Sequence, residues 1–257
     1  MKYPSYTPAA VLITGATGDF GQAFAHRYAA AGSRIILVGR DAKKVDALAD
    51  TLDTPTHSLV FDMTDKRAMS ELLSSLPSEF QDIDLLINNA GLALGGEPAY
   101  EVDIDDWETM IAVNNTGLVR MARLVLDGMV ARKKGHIINI GSTAGNYPYP
   151  GGSVYCASKA FVKQFSLSLR ADLAGTNIRV SNIEPGMVET QFSKVRFKGD
   201  TEKASSVYAD TKPLRADDVA ESVFWVSTLP PHFNVNRLEI MPTVQSFGPL
   251  PVERFGS

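Results

Sequence analysis

What most constrains this chain is an alternation. Short β-branched runs are separated throughout by longer amphipathic stretches, with the order strand, helix, strand never reversed. The runs read as strands at Ala10 to Thr14, Arg34 to Val38, His57 to Phe61, Leu85 to Asn88, His136 to Ile140, Arg179 to Glu184 and Leu238 to Met241. Helices fall between them at about Phe20 to Ala31, Ala42 to Leu52, Lys66 to Leu76, Asp105 to Arg132, Val154 to Ala174 and Ala216 to Thr228. Strands that are apolar on both faces and joined by helices pair in parallel and take helices on both sides. The expected fold is therefore α/β, a doubly wound parallel sheet of about seven strands with helices on both faces. No Pro/Ser-rich linker, charge block or change of composition divides the chain, so one domain is expected over residues 1–257. One stretch breaks the alternation: residues 189–214 are polar, weakly periodic and too long for a simple connection, which marks a lid or binding segment.

Open parallel sheets bind ligands beyond the carboxyl ends of their strands, so the residues that follow each strand carry the functional reading. The first strand runs into Thr14-Gly15-Ala16-Thr17-Gly18-Asp19-Phe20-Gly21 and then a helix. Glycines there let the backbone approach a pyrophosphate, and the helix N-terminus offers free N–H groups to it. Alone, such a turn also serves simply to join strand to helix; its place after the first strand favours a Rossmann-type dinucleotide site. After the second strand stands Arg40, where a basic residue can pair with the 2'-phosphate of NADP and an acidic one would bind the ribose of NAD. NADP is the expected cofactor and NAD the lesser alternative; the competing structural reading is Arg40 as a solvated surface charge with Asp41 capping the next helix. Phe61-Asp62-Met63 and Asn88-Asn89-Ala90-Gly91 follow the third and fourth strands and should line the same crevice.

At the other end of that crevice, Tyr155 and Lys159 are one helical turn apart and share a face. A phenol is a poor base at neutral pH unless an adjacent ammonium stabilises its anion, and the expectation is that Lys159 lowers the Tyr155 pKa. Most Tyr-x-x-x-Lys pairs in helices only pack; the context changes that here. Ser142, just past the strand ending at Ile140, brings a hydroxyl to the same edge. Asn114 lies inside the long helix, where a poor helix former calls for a kink or a bound water.

These residues together resemble the short-chain dehydrogenase/reductase family, from Val11 to about Pro242. The motifs are the Gly-rich turn, Asn88 to Gly91, Asn114, Ser142, Tyr155 with Lys159, and Pro185-Gly186-Met187-Val188-Glu189-Thr190. The resemblance implies a catalytic tetrad of Asn114, Ser142, Tyr155 and Lys159, with Lys159 also on the nicotinamide ribose. It implies cofactor contacts from Gly15, Thr17, Gly18, Asp19, Phe20, Gly21, Arg40, Asp62, Met63, Asn89, Ala90 and Gly91, and a nicotinamide carboxamide held by Pro185, Gly186, Val188 and Thr190. Within the family, NNAGLALG, GHIINIGSTAG, IEPGMVET and VRFKGD look like the NADP-dependent 3-hydroxy acid dehydrogenases, also described as serine dehydrogenases or malonic semialdehyde reductases. That likeness implies a small carboxylate substrate at Ser142, Tyr155 and a cation of the polar loop. Among Lys194, Arg196 and Lys198 the forked guanidinium of Arg196 suits a carboxylate best. The same tetrad would serve a 3-oxoacyl ester, a sugar or a steroid, whereas a non-catalytic NADP sensor would be expected to lose Tyr or Lys. The chain departs from the family in one place: Asp19 stands where the middle glycine of the turn is usual. A carboxylate beside a pyrophosphate must point away or cap the helix, and Asp19→Gly is expected to tighten NADP.

A formal net charge of -4 with scattered Lys and Arg gives no footprint for nucleic acid, and no apolar run suits a membrane span or a leader within Met1 to Ala10. The four histidines lie far apart and suggest no metal site, and one cysteine, Cys156, fits the cytoplasm. The helix Val154 to Ala174 is apolar or small around most of its circumference, which points to a homo-oligomer. By the family resemblance, that oligomer is expected to be a tetramer.

Overall fold

The structure is a computed structural model that describes residues 6–248; the residues Met1 to Ser5, read above for a leader, lie outside them. Seven strands, β1 (Ala10–Thr14), β2 (Arg34–Gly39), β3 (Thr56–Val60), β4 (Leu85–Asn88), β5 (Gly135–Ile140), β6 (Ile178–Pro185) and β7 (Arg237–Ile240), form one sheet in the order β3-β2-β1-β4-β5-β6-β7. Every neighbouring pair is parallel. The strand order reverses at β1 and β4, where connections leave to opposite sides and open a crevice.

The strand period of two divides the core. Val11, Ile13, Ile35, Leu37, Leu85 and Ile87 face one way, against α1 (Asp19–Ala29), α2 (Ala42–Ala49) and, far along the chain, α9 (Ala216–Thr228). Leu12, Ile36, Val38 and Leu86 face the other, against α3 (Lys66–Ser75), α5 (Leu118–Arg132) and α6 (Ser153–Asp172). Both faces are buried, which is why the strands read as continuous apolar runs.

Two regions differ from the sequence reading. The single helix expected over Asp105 to Arg132 is α4 (Ile104–Ile111), a π-helical turn at Ala112–Gly117, and α5 in unbroken succession. The wider turn follows from side-chain demands: Asn114 and Asn115 turn their amides to Leu92 and Ser158, and Gly117 packs so closely on Met63 that a Cβ would stand 2.9 Å from its carbonyl oxygen. The polar stretch 189–214 folds into α7 (Phe192–Arg196) and α8 (Thr201–Ser206), each too short to show a helical period in sequence. Asp200 caps the second by accepting from the Lys203 amide at 3.0 Å. Other boundaries move by at most three residues.

Candidate active site

Beyond the carboxyl ends of the strands lies one cavity of about 770 Å³. Gly15, Thr17, Gly18, Asp19, Phe20, Arg40, Asp62, Met63, Asn89, Ala90, Gly91, Tyr155, Lys159, Pro185, Gly186, Val188 and Thr190 all line it, together with Ser142. Gly21, Asn114 and Arg196 do not, and each has a different reason.

The Gly-rich turn is fastened to the segment after β4. The buried Thr14 hydroxyl accepts from the amides of Asn89 and Ala90, each at 3.0 Å, and the Asn89 side chain donates back to the carbonyls of Thr14 and Gly15 at 3.0 and 3.1 Å. Gly15 has φ +62, and a Cβ on it would stand 2.9 Å from the Ala90 Cα, so conformation and crowding both require glycine. Gly21 serves packing, not the cavity wall: a Cβ there would lie 2.3 Å from the Gly15 carbonyl oxygen. At Gly18 the nearest atom would be an ordinary 3.5 Å away, which leaves this glycine free to face a ligand. Of the two alternatives read for Asp19, the cap is not the one taken. Asp19 is the first residue of α1, the preceding Gly18 supplies no side-chain cap, and the Asp19 carboxylate reaches across to accept from the Gln191 amide at 2.6 Å.

At the adenosine end, Asp41 does cap α2, accepting from the Lys44 amide at 3.2 Å, and leaves Arg40 exposed on the cavity rim. Lys44 lines the same wall, a second cation that its helical surroundings had concealed. Asp62 accepts from the Thr64 hydroxyl and amide at 2.6 and 2.8 Å. Those bonds, with Arg40 as a smaller contributor, hold its carboxyl below the usual range.

Three groups converge at the chemical end. Tyr155 and Lys159 stand on the first turns of α6, and Ser142 follows β5. Lys159 is almost fully buried and its Nζ donates to the Ile140 carbonyl at 2.8 Å; burial draws the ammonium down to about 8. Its Nζ sits 5.9 Å from the centre of the Tyr155 ring. The expected lowering of the Tyr155 phenol does not appear. Burial, then Tyr149, raises it, while a hydrogen bond from Ser142 and the charge of Arg196 act in the opposite direction. The Lys159 ammonium is directed at the Ile140 carbonyl and makes no direct bond to the phenol.

Asn114 lies behind the wall. Its amide closes a two-way bond with Leu92, accepting from that backbone N–H at 2.8 Å and donating to its carbonyl at 2.9 Å, and donates to Ser158 Oγ at 3.1 Å. A Cβ built on Gly91 would lie 3.2 Å from Asn114 Oδ1 and 3.5 Å from Lys159 Nζ, so the π-helical turn and α6 meet around that glycine. Past β6, the Gln245 side chain accepts from the Met187 amide at 2.7 Å and so braces the Pro185–Thr190 segment, a contact no sequence signal announces.

The polar loop covers this end. Phe192 packs on Tyr155 with ring centres 5.7 Å apart. Arg196 Nε donates to the Gly95 carbonyl at 3.2 Å and Nη1 to the Tyr149 hydroxyl at 3.1 Å, which explains its place outside the cavity wall. Lys198 pairs with Asp106 at 2.7 Å, and Lys194 is exposed. Of the three cations proposed from the loop, Arg196 is therefore the one turned toward the Tyr155 end. Tyr149, Gln191 and Phe192 were not anticipated, since isolated loop residues carry no periodic signal.

A crevice at a topological switch point, a Gly-rich turn at one end and a Tyr/Lys pair at the other define an oxidoreductase of the nicotinamide-dependent kind. The family model of short chain dehydrogenases matches residues 9–201, and the chain belongs to that family. It is 54% identical over 245 residues to an NADP-dependent 3-hydroxy acid dehydrogenase of Escherichia coli (strain K12), covering 95% of this chain and 99% of the relative. It is 47% identical over 244 residues to a serine 3-dehydrogenase of Agrobacterium fabrum, covering 95% and 98%. Among solved structures it superposes on the closed form of a serine dehydrogenase complexed with NADP+ with a TM-score of 0.94, at 53% identity, covering 96% of this chain and all of that one. No helix among the described residues is long and apolar enough to cross a membrane.

Proposed function

We propose that this protein is an NADP-dependent dehydrogenase that interconverts a small 3-hydroxy acid, of the serine or 3-hydroxypropionate type, with its 3-oxo acid. The observation that carries the substrate class is Arg196, the loop cation that packs against Tyr149 at the Tyr155 end while Lys198 is neutralised by Asp106. The relatives named above support the same reading, because their matches cover 95% of this chain; residues 189–214 we take as the substrate loop of a single domain.

NADP, when bound, supplies the hydride acceptor or donor next to the carbinol carbon. In this reading Arg40, with Lys44 beside it, would hold the 2'-phosphate; Gly15 to Gly18 and the α1 N-terminus would hold the pyrophosphate; and Pro185 to Thr190 would hold the carboxamide. Tyr155 takes the carbinol proton in oxidation and returns it in reduction. Ser142 hydrogen-bonds the same oxygen. Lys159, buried beside the Tyr155 ring, would hold the ribose and place a positive charge near the phenol. Asn114 keeps the Leu92 segment and α6 in register around Lys159.

We infer also that the molecule is a cytoplasmic homotetramer. The support is the apolar surface left exposed at Ile104 and Ile111 on α4, Val130 on α5 and Phe161 on α6, and the single buried thiol, Cys156. Light scattering at micromolar concentration is expected to show the tetramer; a monomer overturns it.

For the substrate, the test is Arg196→Ala assayed with serine and 3-hydroxypropionate by absorbance of reduced nicotinamide. Losing a charged hydrogen bond of about 1.5–3 kcal/mol raises KM by roughly ten- to a hundredfold. An unchanged KM refutes the assignment.

A further inference from the structure

Asp19 has no task in the reading above, and its side chain makes a contact that spans the cavity. It belongs to the cofactor turn, yet its Oδ2 accepts from the Gln191 amide at 2.6 Å, across 172 residues of sequence. Gln191 is the residue immediately before α7, and the Gln191 carbonyl accepts from Val195 within that helix. The bonded amide is thus the leading N–H of the short helix that carries Phe192 onto Tyr155 and Arg196 onto Tyr149.

A five-residue helix has almost no stability of its own, since its nucleation cost is spread over very few bonds. Its placement must come from its ends and its packing. The far end is tied by the Arg196 backbone and side chain to Gly95, at 3.1 and 3.2 Å. The near end is tied by Asp19.

We propose that Asp19 is a positioning residue for the substrate end of the site: from within the cofactor turn its carboxylate holds the start of α7, and through α7 sets Phe192 and Arg196 around Tyr155. The inference rests on the reading of α7 as part of the substrate loop. It also accounts for a carboxylate where a pyrophosphate binds. The Asp19 carboxylate is bonded to a backbone donor of the loop, so its charge is partly satisfied there.

Hydrogen exchange of the full-length protein, measured free and with NADP+, tests this without requiring turnover. Asp19→Ala removes the acceptor, and Asp19→Asn keeps an oxygen acceptor but removes the charge. In Asp19→Ala, exchange across residues 190–197 is expected to accelerate by about fivefold or more, with peptides of β5 and α5 unchanged. In Asp19→Asn it should stay within about twofold of the wild type. In steady state, Asp19→Ala is expected to raise KM for 3-hydroxypropionate by about fivefold while kcat changes by less than about twofold. Unchanged exchange at 190–197 in Asp19→Ala overturns the proposal, whatever happens to NADP affinity. Acceleration throughout the chain also overturns it, since Asp19 would then be supporting the fold in general. If the wild type turns over no 3-hydroxy acid, the substrate reading fails, while the exchange result still decides the role of Asp19.

Discussion

Gly21 and Gly18 lie in the same turn, three residues apart, and the structure predicts opposite outcomes for the same substitution. In Gly21→Ala the new Cβ would stand 2.3 Å from the Gly15 carbonyl oxygen and 2.6 Å from the Ala16 Cα and carbonyl oxygen. All three are backbone atoms, which no rotamer change can move aside. Ordinary contact begins near 3.4 Å, so α1 and the turn must part by about 1 Å. That separation is resisted by Phe24 and Tyr28, both fully buried, with Tyr28 bonded to Ser227 of α9 at 2.6 Å. Overpacking of this kind costs about 3 kcal/mol, and the better helix propensity of alanine returns about 1. The net loss of about 2 kcal/mol corresponds to a fall in Tm of about 4–8 °C for a chain of this size. In Gly18→Ala the nearest atom is at 3.5 Å and the backbone, φ -78 and ψ 165, suits any residue. Its Tm should change by less than about 2 °C, while the methyl group enters the cavity and weakens NADP by about tenfold or more. Scanning calorimetry and NADP titration on both variants decide the matter. A Gly21→Ala protein that melts with the wild type, or a Gly18→Ala protein that loses the larger share of stability, refutes the division of labour between these glycines.

Two further outcomes follow from burial and charge. Lys159 is drawn from 10.5 to about 8 by desolvation, a penalty of about 3 kcal/mol on its charged form in the folded protein. The unfolded chain keeps the proton between those values, so this group's contribution to stability rises with pH from about 8 to 10.5; Lys159→Met should therefore melt higher than the wild type at pH 7, lose that advantage by pH 10.5, and be inactive. A lower melting temperature at pH 7 would contradict it. Arg40→Ala should raise the NADP dissociation constant by about tenfold in low salt and leave that for NAD within about twofold, with the difference shrinking as salt is added because the site is exposed. Equal losses for the two cofactors would place the 2'-phosphate elsewhere.

The sheet was legible because its strands are buried on both faces and so appear as β-branched runs, of which Ile35 to Val38 and Leu85 to Ile87 are plain examples. The crevice followed from the rule that ligands gather at strand carboxyl ends, and the motif residues stand there. What sequence concealed depends on contacts between distant segments. The Asp19 bond to Gln191, the Gln245 bond to Met187 and the direction of Arg196 each join elements that no local pattern relates. The Tyr155 expectation failed for a similar reason. Spacing along α6 places Lys159 on the right face, but only the fold shows that its ammonium donates to the Ile140 carbonyl and that burial raises the phenol.

The π-helical turn at Ala112–Gly117 acts as a phase shifter. Each residue of an α-helix advances the side chains by about 100°, so one extra residue in a wide turn rotates everything beyond it by that angle relative to a regular continuation. Upstream, α4 keeps Met110 inward and shows Ile104 and Ile111 to the outside; downstream, α5 turns Met121, Ala122, Val125 and Met129 fully onto the sheet. Removing one residue from the turn would give a more regular helix and a worse protein, because the α5 stripe would swing off the sheet while α4 stayed in place. The asparagines at 114 and 115 thus belong to a gear between two helix faces, and the Lys159 corner of the site is cut into one of its teeth.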